Sequence, residues 1–253
     1  MLSYWTIYFM NSDKIQGTMD TGRIWHGIFF DILNKYSQEI STEHHDKPSK
    51  QSFSISPILS AKGYRKSCFE KGSHLKVNIS LYDREIHKGL MEFIRKNSKV
   101  KFLNMDLIIE EVSCKVISEE LLEEQSLKRG TIKFITPTVF RINPANYILP
   151  DPRRVFKSLS KSYSEIFNTE MNLDYVLEEI EKYIVVEGLR INTEVAEYRN
   201  FKVTGFVGEV TYKINHKDEK IQKYLEKIFA LVSYIGVGYK TGMGMGQCIV
   251  LRK

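Results

Sequence analysis

Two adjacent histidines, His44 and His45, lie in a polar segment from Ser41 to Lys50 that has no apolar periodicity and is predicted to be a loop. The unperturbed pKa of histidine, about 6.5, lies near working pH, so such a ring can accept or donate a proton during catalysis. Asp46 can orient a neighbouring ring, and Lys50 can stabilise developing negative charge. By residue type alone, a solvated surface loop is the commoner meaning of such a pair.

The other histidines differ in their surroundings. His26 falls in an amphipathic helical pattern, where it could line a cleft or pack at a domain seam. His74, His87 and His216 fall in turns or on a helix face and are predicted to be structural. The spacings of histidines, cysteines and carboxylates match no common metal motif, so we expect neither a metal nor another cofactor.

Five glycines fall within eleven residues near the C-terminus, in the string GVGYKTGMGMG, residues 236–246. Tyr239 stands where a P-loop needs glycine, and Thr241 stands where a dinucleotide fingerprint needs its third glycine, so both motifs are excluded. Unpaired N–H groups in such a loop can bind phosphate oxygens. The candidate phosphate-binding residues are Gly236, Gly238, Lys240, Thr241, Gly242, Gly244 and Gly246. A glycine-rich connection without a ligand is the alternative.

A basic helix start follows Asp151-Pro152, which are predicted to be an N-cap and the first helical residue. Arg153, Arg154 and Lys157 lie in the first turns, where positive charge opposes the helix dipole. A phosphate backbone would favour these side chains, and a solvated basic face is an equally good interpretation.

Composition sets the broad class. The chain has 253 residues, 42% of them hydrophobic, which is enough for a substantial core. Its formal net charge of +6 suits a polyanionic partner without requiring one. Cys68, Cys114 and Cys248 are far apart, which argues against a disulfide framework and for a reducing compartment. The apolar N-terminal stretch is too short to cross a bilayer, so we expect no membrane association and a cytoplasmic protein.

The apolar pattern predicts the element order β-α-β-β-α-β twice. In the first half the strands are near residues 2–9, 53–55, 75–81 and 103–109, with helices near 21–36 and 86–94. A polar acidic stretch, 118–128, separates the halves. The second half has strands near 131–140, 186–197, 201–214 and 247–251, with helices near 152–168, 173–184 and 221–235, and Gly205 and Gly208 suggest a bulge. The fold class is therefore α+β, with two tandem ferredoxin-like (RRM-like) domains at 1–117 and 129–253.

A helix followed by the glycine string and a short last strand resembles the signature of the repeat-associated RNA-binding superfamily of CRISPR proteins. Four further motifs narrow the resemblance to the CRISPR-associated endoribonuclease that trims precursor guide RNA: WHGIFFD at residues 25–31, HHD at 44–46, FSISP at 53–57 and Thr136-Pro137. The resemblance covers essentially the whole chain. It implies two ferredoxin-like domains and metal-independent cleavage within the repeats of the transcript.

The resemblance also implies roles for individual residues. His45 occupies the position of the family's catalytic histidine, and His44 is the close alternative because adjacent loop residues cannot be ranked from sequence. Some family members carry an assisting tyrosine in the first helix, where Phe30 stands in this chain. That departure leaves the general base open between His44 and His26, and Lys50 is the candidate for stabilising charge.

Two other functions compete with the endoribonuclease. One is a non-cleaving RNA-binding subunit of a CRISPR effector complex, and the other is a small-molecule-binding or assembly protein on the same fold. The expected partner is precursor CRISPR RNA, with an effector complex and a homodimer as candidate assemblies. The repeat recognised, the oligomeric state and the CRISPR subtype are not determined by the sequence.

Overall fold

The structure is a computed structural model that describes residues 1–16, 20–36, 53–124, 128–142, 145–169 and 173–251. The chain forms two compact units. The N-terminal unit comprises Met1–Val116, Glu197–Phe201 and Gly242–Gly244, and the C-terminal unit comprises Ile117–Ala196, Lys202–Thr241 and Met245–Lys253. No helix within the described ranges is long and apolar enough to cross a membrane.

The N-terminal unit is built on a mixed set of strands and two long helices. The strands are β1 (Leu2–Asn11), β2 (Ile15–Gln16), β3 (Phe53–Ile55), β4 (Leu59–Ser60), β5 (Cys68–Phe69), β6 (His74–Leu81), β7 (Lys99–Phe102) and β8 (Met105–Ile117), and the helices are α1 (Asp20–Tyr36) and α2 (Arg84–Lys96). The main sheet has the order β3-β6-β1-β8-β7, with β4 also paired to β6. The two central strands are joined through other elements, as in a ferredoxin-like unit, so the predicted fold is confirmed.

The core of this unit is explained by the alternation of side chains along β1 and by the helical spacing of side chains along α1. Alternate residues of β1, including Phe9, point to the same face of the sheet, and α1 presents Trp25 and Phe29 to that face at a spacing of four residues. The rings of Phe9 and Trp25 lie 5.2 Å apart between centroids. Burial of these large side chains fixes α1 on the sheet, and α1 is the element that carries His26.

One strand begins later than its apolar alternation predicts. The alternation from Leu103 to Ile109 predicts a single strand, and β8 confirms it from Met105 onward. Leu103 instead lies in the turn between β7 and β8, with φ of 54° and 61% of its surface exposed. The turn of a tight hairpin needs positive φ, and this need overrides the apolar pattern at that residue.

The C-terminal unit repeats the same strand order. Its helices are α3 (Glu119–Glu124), α4 (Pro152–Phe167), α5 (Leu173–Tyr183) and α6 (Glu219–Ile235), and its strands are β9 (Arg129–Thr138), β10 (Phe140–Ile142), β11 (Ala145–Tyr147), β12 (Ile184–Tyr198), β13 (Phe201–Ile214) and β14 (Cys248–Leu251). The main sheet has the order β12-β13-β9-β14, and β10 and β11 form a separate hairpin. Two helices, α4 and α5, replace the single first crossover helix, as predicted.

The acidic stretch that separates the halves contains a short helix. Glu119–Glu124 form α3, whose Leu122 is fully buried. The Tyr163 hydroxyl donates a hydrogen bond of 2.5 Å to the carboxylate of Glu119, and Lys227 lies 3.3 Å from the carboxylate of Glu123. One buried leucine and these polar contacts hold the helix within the C-terminal unit.

The helix cap and the strand bulge predicted in the second half are confirmed. The Asp151 side chain accepts a hydrogen bond from the backbone N–H of Arg154, which makes it the N-cap of α4. The register of β13 against β9 shifts between Phe206 and Gly208, so the predicted bulge is present. Gly208 has φ of 125°, and a β-carbon there would lie 2.1 Å from the carbonyl oxygen of Arg190.

We expect Gly208→Ala to lower the free energy of unfolding by roughly 2–4 kcal/mol, because both the backbone angle and the close carbonyl exclude a side chain. Gly27→Ala is the matched control, since a β-carbon at that helical position meets nothing within 4 Å. The control should raise the free energy of unfolding by about 0.5–1 kcal/mol. Urea denaturation measures both values, and equal effects from the two variants would contradict the account of the bulge.

Candidate active site

His26 is held against the glycine-rich loop by a hydrogen bond within the N-terminal unit. Its Nδ1 lies 3.1 Å from the carbonyl oxygen of Gly242. A carbonyl oxygen can only accept, so Nδ1 carries the proton. When the ring is neutral, Nε2 is then the unprotonated nitrogen, which is the form that a general base requires. The two interpretations left open by the sequence, lining a cleft and packing at a seam, both stay predictions.

Two aromatic rings fix the orientation of the His26 ring. Phe30, one helical turn further along α1, meets it edge-on at 4.8 Å between centroids. Phe53, the first residue of β3, lies 5.6 Å away. Phe30 stands where some relatives are expected to carry a tyrosine, and here its ring supports the histidine by packing. Half-burial between these rings limits the ways in which the imidazole can turn.

The backbone of α1 approaches the segment Gly242–Gly244 unusually closely. A β-carbon on Gly22 would lie 2.5 Å from the carbonyl oxygen of Met243, and one on Gly244 would lie 3.2 Å from the α-carbon of Gly22. Gly244 also has φ of 93°. Gly22 is a functional position that the sequence interpretation missed. Its signal was a glycine inside a helix, which lowers helix stability by about 1 kcal/mol and therefore calls for a packing reason.

Tyr198 secures the same segment from the other side. Its hydroxyl donates a hydrogen bond of 3.2 Å to the carbonyl oxygen of Met243. Burial, reinforced by the charge of Asp20, raises the pKa of Tyr198, while the nearby positive charge of Arg65 opposes that rise. The hydroxyl therefore stays protonated and remains a donor over the physiological pH range.

The N-terminus of α1 carries a charged anchor. Arg23 Nε donates to Asp20 at 2.7 Å, and this hydrogen bond is the main cause of the lowered pKa of Asp20, which burial opposes. The backbone N–H of Arg199 also donates to Asp20, at 3.3 Å. Asp20 is thus ionised at neutral pH and ties the first turn of α1 to residues 197–201.

Several N–H groups of the glycine loop are already engaged inside the C-terminal unit. The N–H groups of Gly236, Gly238 and Gly246 donate to Val232 O, Ser158 Oγ and Pro137 O respectively, at 3.0, 3.2 and 3.1 Å. These three N–H groups are therefore not available for phosphate, which corrects the reason given for them from the sequence. Close packing explains the glycines instead, since a β-carbon at each would lie 2.0–2.6 Å from a carbonyl oxygen.

The tip of the loop carries a stack of charged and aromatic groups. Lys240 has φ of 60°, and its Nζ lies 5.0 Å from the centre of the Tyr239 ring. Arg141 donates from Nη1 to the Tyr239 hydroxyl at 2.9 Å, with its guanidinium 5.3 Å from the ring centre. Thr241 is buried and begins a short 3₁₀ turn, Thr241–Met243. The stack holds two cations at one edge of the C-terminal unit.

The basic start of α4 divides into residues with different surroundings. Arg153 forms an ion pair with Glu181, so its position is explained without a ligand. The guanidinium of Arg154 lies 4.7 Å from the ring centre of Tyr147 in the β10–β11 hairpin. Lys157 is exposed one turn further on. Arg154 and Lys157 remain candidates for contact with a polyanion, and the case for Arg153 is weaker than the sequence predicted.

The remaining candidates are placed as follows. His44, His45 and Lys50 lie outside the described residues, so their roles stay predictions. His87 donates or accepts at 2.9 Å with Ser3 Oγ, and His216 Nε2 lies 2.5 Å from the carboxylate of Glu179. His74 begins β6, not a turn, and lies 2.8 Å from the carboxylate of Glu110.

A metal site needs several ligating side chains close together, and the structure describes residues 1–16, 20–36, 53–124, 128–142, 145–169 and 173–251. No group of three or more His, Cys, Asp or Glu side chains there is placed to hold a metal ion. Whether the chemistry proceeds without a metal remains a prediction.

Comparison with known proteins finds relatives that are similar to part of this chain. Residues 132–248 match the family model described as CRISPR-associated endoribonuclease Cas6. A protein of that name from Streptococcus thermophilus is 24% identical over 139 residues, which are 54% of this chain and 57% of that protein. One from Mycobacterium tuberculosis is 28% identical over 47% of this chain and 38% of its own length. The chain thus spans between about a third and three fifths of these curated relatives.

Solved structures extend the likeness to the whole fold. A Cas6 product complex superposes with a TM-score of 0.80 at 23% identity and covers 99% of this chain and 100% of that chain. At this identity the likeness concerns the fold, and it agrees with the ferredoxin-like strand order of both units. Together with the family-model match and the curated relatives, it makes the chain similar, in fold and over part of its sequence, to the CRISPR-associated endoribonucleases called Cas6.

Proposed function

We propose that this protein is a metal-independent endoribonuclease that cleaves CRISPR repeat RNA within the precursor transcript and so releases guide RNAs. The observation that carries the proposal is the hydrogen bond from His26 to Gly242, which brings a proton-transfer group against the glycine loop. The relatives of this chain are named endoribonucleases, and one structural neighbour is a product complex. Both support the same reaction class.

The proposed reaction uses the RNA's own 2′-hydroxyl as the nucleophile. Its oxygen attacks the adjacent phosphorus while a base removes the proton, and the bond to the 5′-oxygen breaks as an acid protonates that oxygen. The products are a 2′,3′-cyclic phosphate and a 5′-hydroxyl. Each proton transfer contributes typically ~10²–10⁴-fold to the rate, and positive charge stabilises the phosphorane-like transition state.

The histidines are assigned to the two proton transfers. His45 donates the proton to the leaving 5′-oxygen, with His44 as the alternative donor. His26 is assigned as the base, because Nδ1 donates to Gly242 and the proton acceptor of the neutral ring is then Nε2. Lys50 supplies positive charge that stabilises the transition state. The segment that carries His44, His45 and Lys50 ends at Phe53, whose ring lies 5.6 Å from the ring of His26.

The cationic and aromatic surface of the C-terminal unit is assigned to RNA binding. Arg141 and Lys240 flank Tyr239, and Arg154 covers Tyr147, so each aromatic ring has a cation next to it. Such arrangements bind both phosphates and base faces. The cytoplasm is the proposed location, and an effector complex and a homodimer are the proposed assemblies; native mass spectrometry would detect the homodimer directly.

We expect cleavage of a repeat-containing RNA to continue in EDTA and to leave a 2′,3′-cyclic phosphate. A 2′-deoxy substitution at the cut site should abolish cleavage and leave the dissociation constant unchanged within about two-fold, because only the nucleophile is removed. Gel analysis of end groups and a binding titration measure both effects. Cleavage of the deoxy substrate at the rate of RNA would contradict the mechanism.

His45→Ala should lower the single-turnover rate by roughly 10²-fold or more with little change in RNA affinity. His44→Ala is the control, and a larger loss there would move the acid to His44. Sulfur in place of the 5′-bridging oxygen should rescue the variant that lacks the acid, since a thiolate leaves without a proton. Wild-type rates for both single variants and the double variant would favour the non-cleaving subunit.

His26 variants separate a base from a structural support. His26→Asn retains an N–H group near the position of Nδ1 and should still lose roughly 10²-fold in single-turnover rate, because Nε2 is gone. The sulfur-substituted RNA should not rescue it. A wild-type rate for His26→Asn would show that the hydrogen bond to Gly242 is structural.

Lys240→Ala should weaken RNA binding and reduce the slope of log affinity against log salt by about one phosphate contact. Lys240→Arg should retain both properties, because the charge is kept. The matched control is Lys88→Ala, because Lys88 pairs with Glu85 on α2. Filter binding at several salt concentrations gives the slopes, and an unchanged slope for Lys240→Ala would assign the residue to loop structure alone.

A further inference from the structure

The turn between β4 and β5 presents an exposed aromatic ring surrounded by cations. It comprises residues 61–67, with the sequence AKGYRKS. Tyr64 has 63% of its surface exposed, the largest fraction among the exposed large apolar and aromatic side chains of the described residues. Lys62 precedes it by two positions, and Arg65 and Lys66 follow it. Exposure of so large a ring leaves its apolar surface in water unless a partner covers it.

The turn is held rigidly by hydrogen bonds to one serine. The backbone N–H of Ser60 donates to Tyr64 O at 2.9 Å, and the N–H of Gly63 donates to Ser60 O at 2.7 Å. The N–H of Tyr64 donates to Ser60 Oγ at 3.1 Å. Gly63 has φ of 87°, which glycine adopts without strain. The backbone at Tyr64 is therefore fixed, so binding to this residue requires little further ordering of the main chain.

Two lysines of the turn, Lys62 and Lys66, carry positive charge that no acidic side chain of the described residues neutralises. Across the described ranges, Lys62 and Lys66 form no ion pair. The nearest acidic residue in sequence, Glu70, pairs with Lys14 at 3.1 Å, and hydrogen bonding to Lys14 is the main cause of its lowered pKa. Below the turn, Lys76 extends over the ring of Tyr8, with its Nζ 5.9 Å from the ring centre. This part of the N-terminal unit is an electropositive surface.

The turn also lies close to the candidate active site. Arg65 is near enough to Tyr198 for its charge to act on the tyrosine hydroxyl. That hydroxyl donates to Met243, whose neighbour Gly242 accepts the hydrogen bond from His26. All of these residues belong to the N-terminal unit. An RNA bound at the turn would therefore lie on the same unit as His26.

We propose that the turn binds a single-stranded part of the RNA, with an unpaired base stacked on Tyr64 and the flanking phosphates held by Lys62 and Lys66. This inference rests on the proposed function, since it assumes that RNA is the partner. An exposed ring between cations suits unpaired nucleotides, because each base has a face that can stack and the cations follow the backbone. Bases inside a duplex are already stacked and offer no face to Tyr64.

The test measures dissociation constants for a repeat-containing RNA with unpaired nucleotides on both sides of the cut site. Tyr64→Ala should raise the dissociation constant by about 5- to 100-fold, and Tyr64→Phe should stay within about two-fold of wild type, because the ring is kept. Lys62→Ala and Lys66→Ala should each reduce the salt slope by about 0.7, whereas Tyr64→Ala should leave it unchanged. The matched control is Tyr175→Ala, which removes an exposed tyrosine on α5 that follows Asp174.

A second measurement locates the stacked base. With 2-aminopurine placed at successive unpaired positions, one position should lose fluorescence on binding to wild type and to Tyr64→Phe but not to Tyr64→Ala. RNA lacking the unpaired nucleotides should bind wild type and Tyr64→Ala equally. If that duplex-only RNA still distinguishes the two proteins, or if Tyr64→Ala binds the full RNA as wild type does, the inference is overturned. Failure of wild type to bind any repeat RNA would instead overturn the proposed function.

Discussion

The close approach of α1 to the segment Gly242–Gly244 is the constraint on which the candidate site depends. Gly22 on the helix and Gly244 on the loop both lack side chains where the two backbones meet, and a β-carbon on Gly22 would lie only 2.5 Å from Met243 O. This separation allows His26, one turn beyond Gly22, to reach the carbonyl oxygen of Gly242. A single methyl group at residue 22 would displace the loop and thereby remove the acceptor that sets the tautomer of the histidine.

Backbone hydrogen bonding explains why so many glycines are needed in one short loop. The N–H groups of Gly236, Gly238 and Gly246 are satisfied within the C-terminal unit, and neighbouring carbonyl oxygens occupy the space where side chains would stand. The loop is therefore a compact structural element whose tip presents Lys240 and Tyr239. Its glycines act by permitting close packing, and the charged side chain at the tip is the part suited to bind a phosphate.

Cations next to aromatic rings recur in both units, each described by itself. In the C-terminal unit Arg141 and Lys240 flank Tyr239, and Arg154 covers Tyr147. In the N-terminal unit the turn around Tyr64 carries Lys62, Arg65 and Lys66. Ion pairs such as Arg153 with Glu181 neutralise other basic residues, so the net charge of +6 is not spread evenly over the surface. Cations beside aromatic rings suit an RNA strand, which offers phosphates and base faces at regular intervals.

Local patterns in the sequence determined the order of strands and helices, the cap at Asp151 and the bulge at Gly208, because each depends on neighbouring residues and on side-chain periodicity. The family resemblance, carried by short motifs, determined the histidine candidates, although those of residues 37–52 lie outside the described structure. Only the tertiary structure decided that His26 binds Gly242, 216 residues away, and that Gly22 makes room for this contact. It also decided which glycine N–H groups are occupied and that Glu181 neutralises Arg153. These outcomes depend on which distant backbone and side-chain atoms meet after folding, and neither periodicity nor residue type specifies such pairings.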